Sequence, residues 1–304
     1  FIFFQTGGVC LASKVALVIG NSEYPEAPLR NAVNDANAIA QTLTALGFSV
    51  TKKVNVTQQD MEEAIRQFGK DVRPNDIALF YFSGHGVQVD GVNYLLPTGV
   101  KVDSADEIKY KAVAADMILD KLGDTGSQLN LIILDACRNN PFKRVRSLDK
   151  GLAVMSAPSG TLIAYATAPG TVAYDGDGNN SPYTTHLLKV MKTPGLEIEK
   201  VFKQVRVVVM SETGNKQVPW ESSSLVGDFY FIMLPPTPTP IAETQAIPGV
   251  VALEPSQCKS ESDSFMDMTR WGDENARWAE WGHVNGQYKT PCVTFNHEQV
   301  PPVE

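Results

Sequence analysis

The stretch Leu129–Pro141 reads LNLIILDACRNNP, and it predicts more about the fold than any other segment of the chain. Its first half is a continuous apolar run, Leu131–Leu134, bounded by polar residues. Such a run is typical of a strand that is covered on both faces of a sheet. The run then ends abruptly in Asp135 and Cys137. Because open α/β sheets bind ligands at the C-terminal ends of their strands, the sequence predicts a thiol at such an edge.

A second stretch, Asp76–Gly86, is organised in the same way. The apolar run Ile77–Phe82 is followed by Ser-Gly-His-Gly, which ends the predicted strand beside His85. His85 and Cys137 are 52 residues apart, on two strands that we expect to be neighbours. A nearby imidazole can take the proton of a thiol and leave a nucleophilic thiolate. The two stretches therefore predict a His/Cys catalytic dyad.

Two glycines flank the predicted catalytic histidine. Gly84 and Gly86 lack a side chain, so a substrate backbone can approach closely there. Their backbone amides, together with that of Cys137, are the candidate oxyanion hole, for which Gly86 and Cys137 are the principal donors.

The residues two positions before the dyad are also polar. Side chains two apart on a strand share a face, so Ser83 lies with His85 and Asp135 lies with Cys137. A carboxylate beside a thiol disfavours the thiolate and would weaken the nucleophile. Asp135 is therefore better explained as a receptor for a cationic substrate side chain.

The rest of the chain alternates between apolar runs and helical periodicity. This alternation predicts an α/β fold with a mostly parallel central sheet between helices. The predicted strands are Lys14–Gly20, Phe48–Val54, Asp76–Ser83, Leu129–Asp135, Gly160–Thr167, Gln217–Trp220 and Gly227–Ile232. The predicted helices are Asn31–Leu46, Thr57–Phe68, Ala112–Leu122, Tyr183–Met191 and Leu196–Met210. A hairpin is predicted at Val87–Leu96 around Asp90-Gly91, and a long loop at Ala168–Ser181.

The two ends of the chain differ from this pattern. Residues 1–13 are apolar and then rich in small residues, which favours the remnant of a secretory signal peptide over a short edge strand. Residues 234–254 form a Pro-rich linker. Residues 255–304 are a small C-terminal module or a floppy extension, and a module of this size needs a staple. A signal peptide would imply a periplasmic or secreted protein, where Cys258 and Cys292 could form a disulfide; without it the protein would be cytoplasmic.

Composition excludes several classes of partner and cofactor. The chain has 304 residues, a net charge of −8 and no long basic run, so nucleic acid or an anionic membrane is not expected as the main partner. No apolar run is long enough to span a membrane as a helix. No Cys or His spacing matches a zinc site, and we expect no metal and no cofactor.

The motifs Ser83–Gly86 and Asp135–Arg138 resemble the His and Cys motifs of caspase-like cysteine peptidases. The caspase signature has Gln before the Ala-Cys pair and Gly two residues after the Cys, where this chain has Asp135 and Asn139. With those departures it is similar to the metacaspase and bacterial orthocaspase branch. The resemblance implies a caspase-like three-layer α/β/α sandwich, and it covers a catalytic domain over residues 14–233. Other matching segments are Ala16–Asn21, Leu29–Ala36 and Tyr165–Gly170.

The resemblance also implies a substrate class. Caspases that cut after Asp line the substrate pocket with arginines, but the matching positions here hold Leu29 and the triplet Ala173-Tyr174-Asp175. In metacaspases the residues that match Asp35, Ser83 and Asp135 form a pocket for Arg or Lys, and carboxylates bind guanidinium groups strongly. Tyr174 would form the wall of the neighbouring subsite, and Asp175 is a further acidic candidate.

The sequence favours a cysteine endopeptidase that cleaves proteins or peptides after Arg or Lys, and two alternatives remain open. One is a non-catalytic caspase-fold scaffold that binds partners, against which the intact His/Cys pair argues. The other is an Asp-specific caspase.

Two further family properties bear on this sequence. The basic loop 143–150 reads KRVRSLDK and is either a solvated surface loop or a site of autocleavage after Arg146 or Lys150. Many metacaspases need calcium, but Asp90, Asp103 and Asp106 do not match the spacing of their calcium ligands. We therefore predict no tight calcium site, while calcium activation stays open.

Overall fold

A computed structural model describes residues 12–136, 142 and 151–234, together with the backbone of four short strands between residues 250 and 295. The chain divides into two units, Phe1–Leu234 and Pro235–Glu304, and each is described by itself. Five residues with predicted roles lie outside the described residues, so those roles remain predictions: Cys137, Arg146, Lys150, Cys258 and Cys292.

Six strands form the central sheet of the first unit: β1 Lys14–Gly20, β2 Ser49–Val54, β3 Ile77–Ser83, β7 Leu129–Asp135, β8 Thr161–Tyr165 and β9 Trp220–Ser223. Their order across the sheet is β2–β1–β3–β7–β8–β9. The strands from β2 to β8 in this order run parallel, and β9 is antiparallel to β8. The predicted mostly parallel sheet is confirmed.

Helices cover both faces of this sheet. They are α1 Ala32–Ala45, α2 Gln58–Asp71, α4 Asp116–Gly123, α5 Pro182–Val190 and α6 Ile198–Glu212, while the short helix α3 Ile108–Lys111 packs in a separate cluster with Val87 and Leu96. Side chains of α1, α5 and α6 pack with Leu79 and Tyr81 of β3, while α2 and α4 pack with Phe80 and Phe82 on the opposite face. This alternation along one strand follows the period of two and confirms the α/β/α sandwich.

A small antiparallel sheet stands beside the main one, in the order β4–β5–β6. Strands β4 Gly86–Val89 and β5 Val92–Leu95 form the predicted hairpin, and β6 is Val113–Ala114. Asp90 and Gly91 both have positive φ angles, 51° and 80°. Two consecutive residues with positive φ are the geometry of a two-residue hairpin turn, which explains why the Asp-Gly pair predicts it correctly.

The predicted helix Ala112–Leu122 is wrong in its first half. Val113 and Ala114 are paired with β5 instead, and the helix begins only at Asp116. The N–H of Ala115 also donates to the carbonyl of Asn93, at 2.8 Å. Because the hairpin offers backbone partners to this segment, tertiary pairing overrides the helical periodicity of the sequence.

The last two predicted strands are also displaced. The final strand of the sheet is Trp220–Ser223 rather than Gln217–Trp220. Gln217 instead buries its side chain, which donates to the carbonyl of Ala166 at 2.9 Å. The predicted strand Gly227–Ile232 contains only one isolated bridge, and its alternating aromatic residues pack against the core without a ladder.

Four short strands are described in the second unit. Strand β10 Val250–Ala252 pairs with β13 Val293–Phe295, and β11 Gly282–Val284 pairs with β12 Gln287–Lys289, both antiparallel. Strand β10 falls within the range predicted as linker. Among the described residues, no helix is both long and apolar enough to cross a membrane.

Tyr183 offers a test of how the core tolerates a buried hydroxyl. Its side chain is fully buried, and its hydroxyl has no hydrogen-bond partner among the described residues. Burial, together with the negative charges of Asp135 and Glu221, raises the pKa of Tyr183 well above its ordinary value. Above about pH 10 the unfolded chain therefore binds fewer protons than the folded one, and stability falls by up to about 1.4 kcal/mol per pH unit.

We expect Tyr183→Phe to be as stable as the wild type or about 1 kcal/mol more stable at pH 8, because it removes an unsatisfied polar group. Above pH 10 its free energy of unfolding should fall less steeply. Urea denaturation at both pH values measures this, with the exposed Tyr110→Phe as the matched control. Parallel decline of Tyr183→Phe and wild type above pH 10 would contradict the expectation.

Candidate active site

The candidate site lies where β3 and β7 end. The two strands are parallel neighbours, and their register pairs Ser83 with Asp135. The C-terminal ends of both strands therefore lie next to each other on the same side of the sheet, as the sequence predicts. Ala136 is fully buried and is the last described residue before Cys137.

His85 is almost completely buried, at 3% exposure. Its Nε2 atom is 2.7 Å from the carbonyl oxygen of Ala27, in the loop between β1 and α1. A carbonyl can only accept a hydrogen bond, so Nε2 carries a proton, and in the neutral ring Nδ1 is the basic nitrogen. The Ala27 carbonyl thus selects the tautomer that can act as a general base through Nδ1.

A tyrosine that the sequence analysis did not single out packs against this ring. Tyr24 is buried and lies edge-on to His85, with 4.5 Å between the ring centroids. Its hydroxyl oxygen accepts the backbone N–H of His85 at 3.1 Å. Ala27 and Tyr24 belong to the same loop, so one segment contacts both the ring and the backbone of the histidine.

The two glycines beside His85 have different roles. The N–H of Gly84 donates to the carbonyl of Asp135 at 3.3 Å, so the prediction that its amide contributes to an oxyanion hole is wrong. Leu96 donates to the carbonyl of His85, which makes the next pair, Gly86 and Leu95, a non-hydrogen-bonded pair of the hairpin. The N–H of Gly86 therefore points away from β5, and its predicted oxyanion role remains a prediction.

Three predicted pocket residues come together on the α1 side of the sheet. Ser83 donates its hydroxyl to Oδ2 of Asp35 at 3.0 Å, and Asp135 stands opposite Ser83 in the ladder. All three side chains are fully buried. Asp35 lies on α1 and Asp135 on β7, so a helix and a strand distant in sequence place two carboxylates beside one serine.

Ser181, at the start of α5, connects these two carboxylates. Its backbone N–H donates to Oδ1 of Asp35 at 2.9 Å, and its hydroxyl donates to Oδ2 of Asp135. Asn180 donates to the same Oδ1 atom of Asp35 at 3.0 Å. Ser181 also caps α5 by accepting the N–H of Thr184, at 3.0 Å.

The hydroxyl groups of Thr184 and Tyr81 form a second hydrogen-bonded chain that ends at Asp135. Thr184 donates to Oδ2 of Asp135 at 2.8 Å, and Tyr81 is 2.6 Å from the Thr184 hydroxyl. Because the one proton of Thr184 goes to the carboxylate, Tyr81 is the donor to Thr184. Burial, and then the charges of Asp135 and Asp35, raise the pKa of Tyr81 well above its ordinary value, so it stays protonated.

Sequence reasoning did not identify the hydroxyl and amide donors around the carboxylates. Ser181 and Thr184 fall at the end of a stretch predicted as a loop and at the start of a helix. The Ser-Pro pair at 181–182 is a helix N-cap signal, and it was the one local indication of an ordered segment here.

The two remaining predicted pocket residues lie on the neighbouring loop. Tyr174 is 44% exposed, and its N–H donates to the side chain of Gln217. The Asp175 carboxylate accepts the N–H of Arg30 at 2.7 Å, and its carbonyl accepts the side chain of Asn31. Asp175 therefore attaches this loop to the start of α1, and its predicted contact with substrate remains a prediction.

Within the part of the chain that the structure describes, no three His, Cys, Asp or Glu side chains gather in a way that could hold a metal ion.

The fold and the site define a class of α/β/α sandwich proteins with a histidine just after one strand and acidic residues at the end of the next. A caspase-domain family model matches residues 13–230, and the chain belongs to this family of peptidases. The predicted caspase-like recognition is confirmed.

Individual relatives come from a fungus, a mammal and a bacterium. Metacaspase-1 of Candida albicans is 37% identical over 113 residues, which is 33% of this chain and 25% of that protein. The mucosa-associated lymphoid tissue lymphoma translocation protein 1 homolog of Mus musculus is 27% identical over 175 residues, 56% of this chain and 20% of its own length. A protein named as a probable protease of a Desulfuromonadales bacterium is 26% identical over 213 residues, 59% of this chain and 26% of its own length.

The chain thus spans about a quarter or less of the length of the curated relatives that it matches. The family and the named relatives support a cysteine protease.

The close packing around Gly84 predicts a large effect of a single methyl group. A Cβ atom at Gly84 would lie 2.6 Å from the Phe82 ring and 2.7 Å from the Tyr24 hydroxyl, inside contact distance. We expect Gly84→Ala to lower the free energy of unfolding by about 1–3 kcal/mol, because core atoms must shift.

Gly123→Ala is the matched control, since a Cβ there meets nothing within 4 Å. It should leave stability unchanged or slightly improved. Urea denaturation of both variants makes the comparison, and equal midpoints for the two would contradict the packing around Gly84.

Proposed function

We propose that this chain is a cysteine endopeptidase that cleaves peptide bonds after Arg or Lys, with Cys137 as nucleophile and His85 as its base. The observation that carries the proposal is the buried cluster of Asp35, Ser83 and Asp135 at the end of the sheet where Nε2 of His85 lies 2.7 Å from the Ala27 carbonyl oxygen. A base and a cation receptor at one edge match the two requirements of such an enzyme.

The proposed reaction follows from the protonation state of the histidine. Nδ1 of His85 takes the proton of the Cys137 thiol, and the thiolate attacks the carbonyl carbon of the scissile bond. The N–H groups of Gly86 and Cys137 stabilise the resulting oxyanion. His85 then protonates the leaving amine, the C–N bond breaks, and water hydrolyses the thioester that remains on Cys137.

The preference for a cationic side chain follows from the two carboxylates. An arginine guanidinium can form paired, charge-assisted hydrogen bonds with carboxylates, and lysine can form single ones. An aspartate side chain in the same position would be repelled. The donors described around Asp35 and Asp135 are hydroxyls, an amide and a backbone N–H, which orient these carboxylates without adding positive charge.

The decisive assay compares fluorogenic peptides that end in Arg, Lys or Asp. We expect cleavage of the first two, none of the third, and no activity in Cys137→Ala. Asp135→Asn should lower kcat/KM for the Arg peptide by about 10- to 100-fold, since a hydrogen bond to a charged group contributes about 1.5–3 kcal/mol.

Asp76→Asn is the matched control for that variant. Asp76 is also buried and accepts two backbone N–H groups, but it precedes β3 at the opposite end of the sheet. Its selectivity between the peptides should equal that of the wild type. Cleavage of the Asp peptide would favour the Asp-specific alternative, and absence of all cleavage would favour the binding scaffold.

The proposal extends to autocleavage in the basic loop, after Arg146 or Lys150. Residues that follow the loop are firmly attached: Ala153 exchanges two hydrogen bonds with the side chain of Asn93, at 2.7 and 2.8 Å. Leu152 is buried, and β7 and β8 on either side of the loop are paired. A cut in the loop should therefore leave the two fragments bound to each other.

Incubated wild-type protein should give two bands on a denaturing gel and one peak in gel filtration, with new N-termini at Ser147 or Gly151. Cys137→Ala should stay intact, as should a variant that carries both Arg146→Gln and Lys150→Gln. A single intact band from wild-type protein that cleaves the Arg peptide would rule autocleavage out.

A further inference from the structure

The Tyr24 hydroxyl occupies an unusual position in the backbone ladder of the β4–β5 hairpin. One residue beyond the pair Gly86 and Leu95, the chain places His85 opposite Leu96, and the N–H of Leu96 donates to the carbonyl of His85 at 2.9 Å. The reciprocal donor, the N–H of His85, bonds instead to the Tyr24 hydroxyl at 3.1 Å. That hydroxyl in turn donates to the carbonyl of Leu96 at 3.0 Å.

The Tyr24 hydroxyl thus replaces one backbone hydrogen bond, between His85 and Leu96, by two hydrogen bonds that pass through its own oxygen. The two links measure 3.1 and 3.0 Å and meet at the hydroxyl oxygen. At the residue that carries the imidazole, the hairpin therefore keeps one backbone hydrogen bond and depends on Tyr24 for the other connection.

The Leu96 carbonyl is fixed independently of Tyr24. Asn21 donates its side-chain amide to the same carbonyl at 3.1 Å, and its other side-chain atom accepts the N–H of Val56 at 3.0 Å. The backbone N–H of Asn21 donates to the carbonyl of Ser83. Because β1, β3 and β5 are joined at this point, the far side of the bridge is rigid.

The loop that carries Tyr24 is also held internally. The carbonyl of Ser22 accepts the N–H groups of Tyr24 and Leu29, both at 3.0 Å, and its hydroxyl accepts the N–H of Val33. Ala27 lies between these anchors and presents its carbonyl to Nε2 of His85. The position of the His85 backbone and the position of its ring are therefore set by one braced loop.

We propose that Tyr24 is a positioning residue for His85, a role that rests on the proposed peptidase function. Its hydroxyl sets the distance of the His85 backbone from β5, and its ring holds the imidazole so that Nε2 meets Ala27 and Nδ1 serves as the base. Loss of the hydroxyl lets the N–H of His85 bond Leu96 directly and draws the imidazole away from Ala27.

Tyr24→Phe tests this role because it keeps the ring and removes only the hydroxyl. We expect kcat for the Arg peptide to fall about 10- to 100-fold with KM within threefold of wild type, since a misplacement of about 1 Å reduces catalysis by about 100-fold. The pH dependence of Cys137 alkylation by iodoacetamide, followed by peptide mass spectrometry, should shift in the same variant.

A second measurement does not depend on peptidase activity. Nitrogen-15 NMR of His85 should show the Nε2–H tautomer in wild type and a mixture of tautomers in Tyr24→Phe. Should this variant fail to fold, Gly84→Ala replaces it, because its Cβ would lie 2.7 Å from the Tyr24 hydroxyl and displace it.

Tyr165→Phe is the matched control, since Tyr165 is buried and its hydroxyl likewise accepts a backbone N–H, from Met155 at 3.0 Å. It should lose similar stability but keep kcat and the His85 spectrum. An unchanged His85 spectrum and a kcat within twofold in Tyr24→Phe, or equal losses of kcat in both variants, would overturn the positioning role. If wild-type protein cleaves no peptide, the peptidase proposal fails, and the His85 spectra still decide the role of Tyr24.

Discussion

The parallel pairing of β3 with β7 is the constraint on which the candidate site depends. Its register places Ser83 opposite Asp135, and a slip of one residue would turn every side chain of one strand to the other face. The N–H of Gly84 extends the pairing one residue past the ladder by donating to the carbonyl of Asp135. Since a side chain at Gly84 would collide with Phe82 and Tyr24, the register and the position of His85 are fixed by the same packing.

The two halves of the site are held by different parts of the chain. The loop after β1 holds His85 through Tyr24 and the carbonyl of Ala27. The start of α5 holds both carboxylates through Ser181. His85 follows β3 by two residues and Asp135 ends β7, so these paired strands support both halves, the proposed base and the proposed cation receptor.

The sequence could predict where a polar side chain lies when it directly follows or ends a buried strand. His85, Ser83 and Asp135 follow apolar runs that are hard to interpret otherwise, and the alternation along the chain predicts the sheet. The sequence could not predict that Ala27 contacts His85, because the contact is made by a backbone carbonyl, which every residue carries. The sequence also could not predict the two-residue strand β6, because β6 forms by pairing with β5 of the hairpin and has no periodicity of its own.

Tyr24 and Ser181 show why a loop in the sequence can be a fixed part of a site. Each lies in a segment without periodicity, and each makes contacts through both its backbone and its side chain. A residue bonded in this way cannot change rotamer without breaking a backbone contact, so it loses the freedom that loop composition suggests. The order in these loops comes from the strand ends that they cover: buried donors and acceptors at the edge of a sheet must be satisfied, and the nearest loops supply the partners.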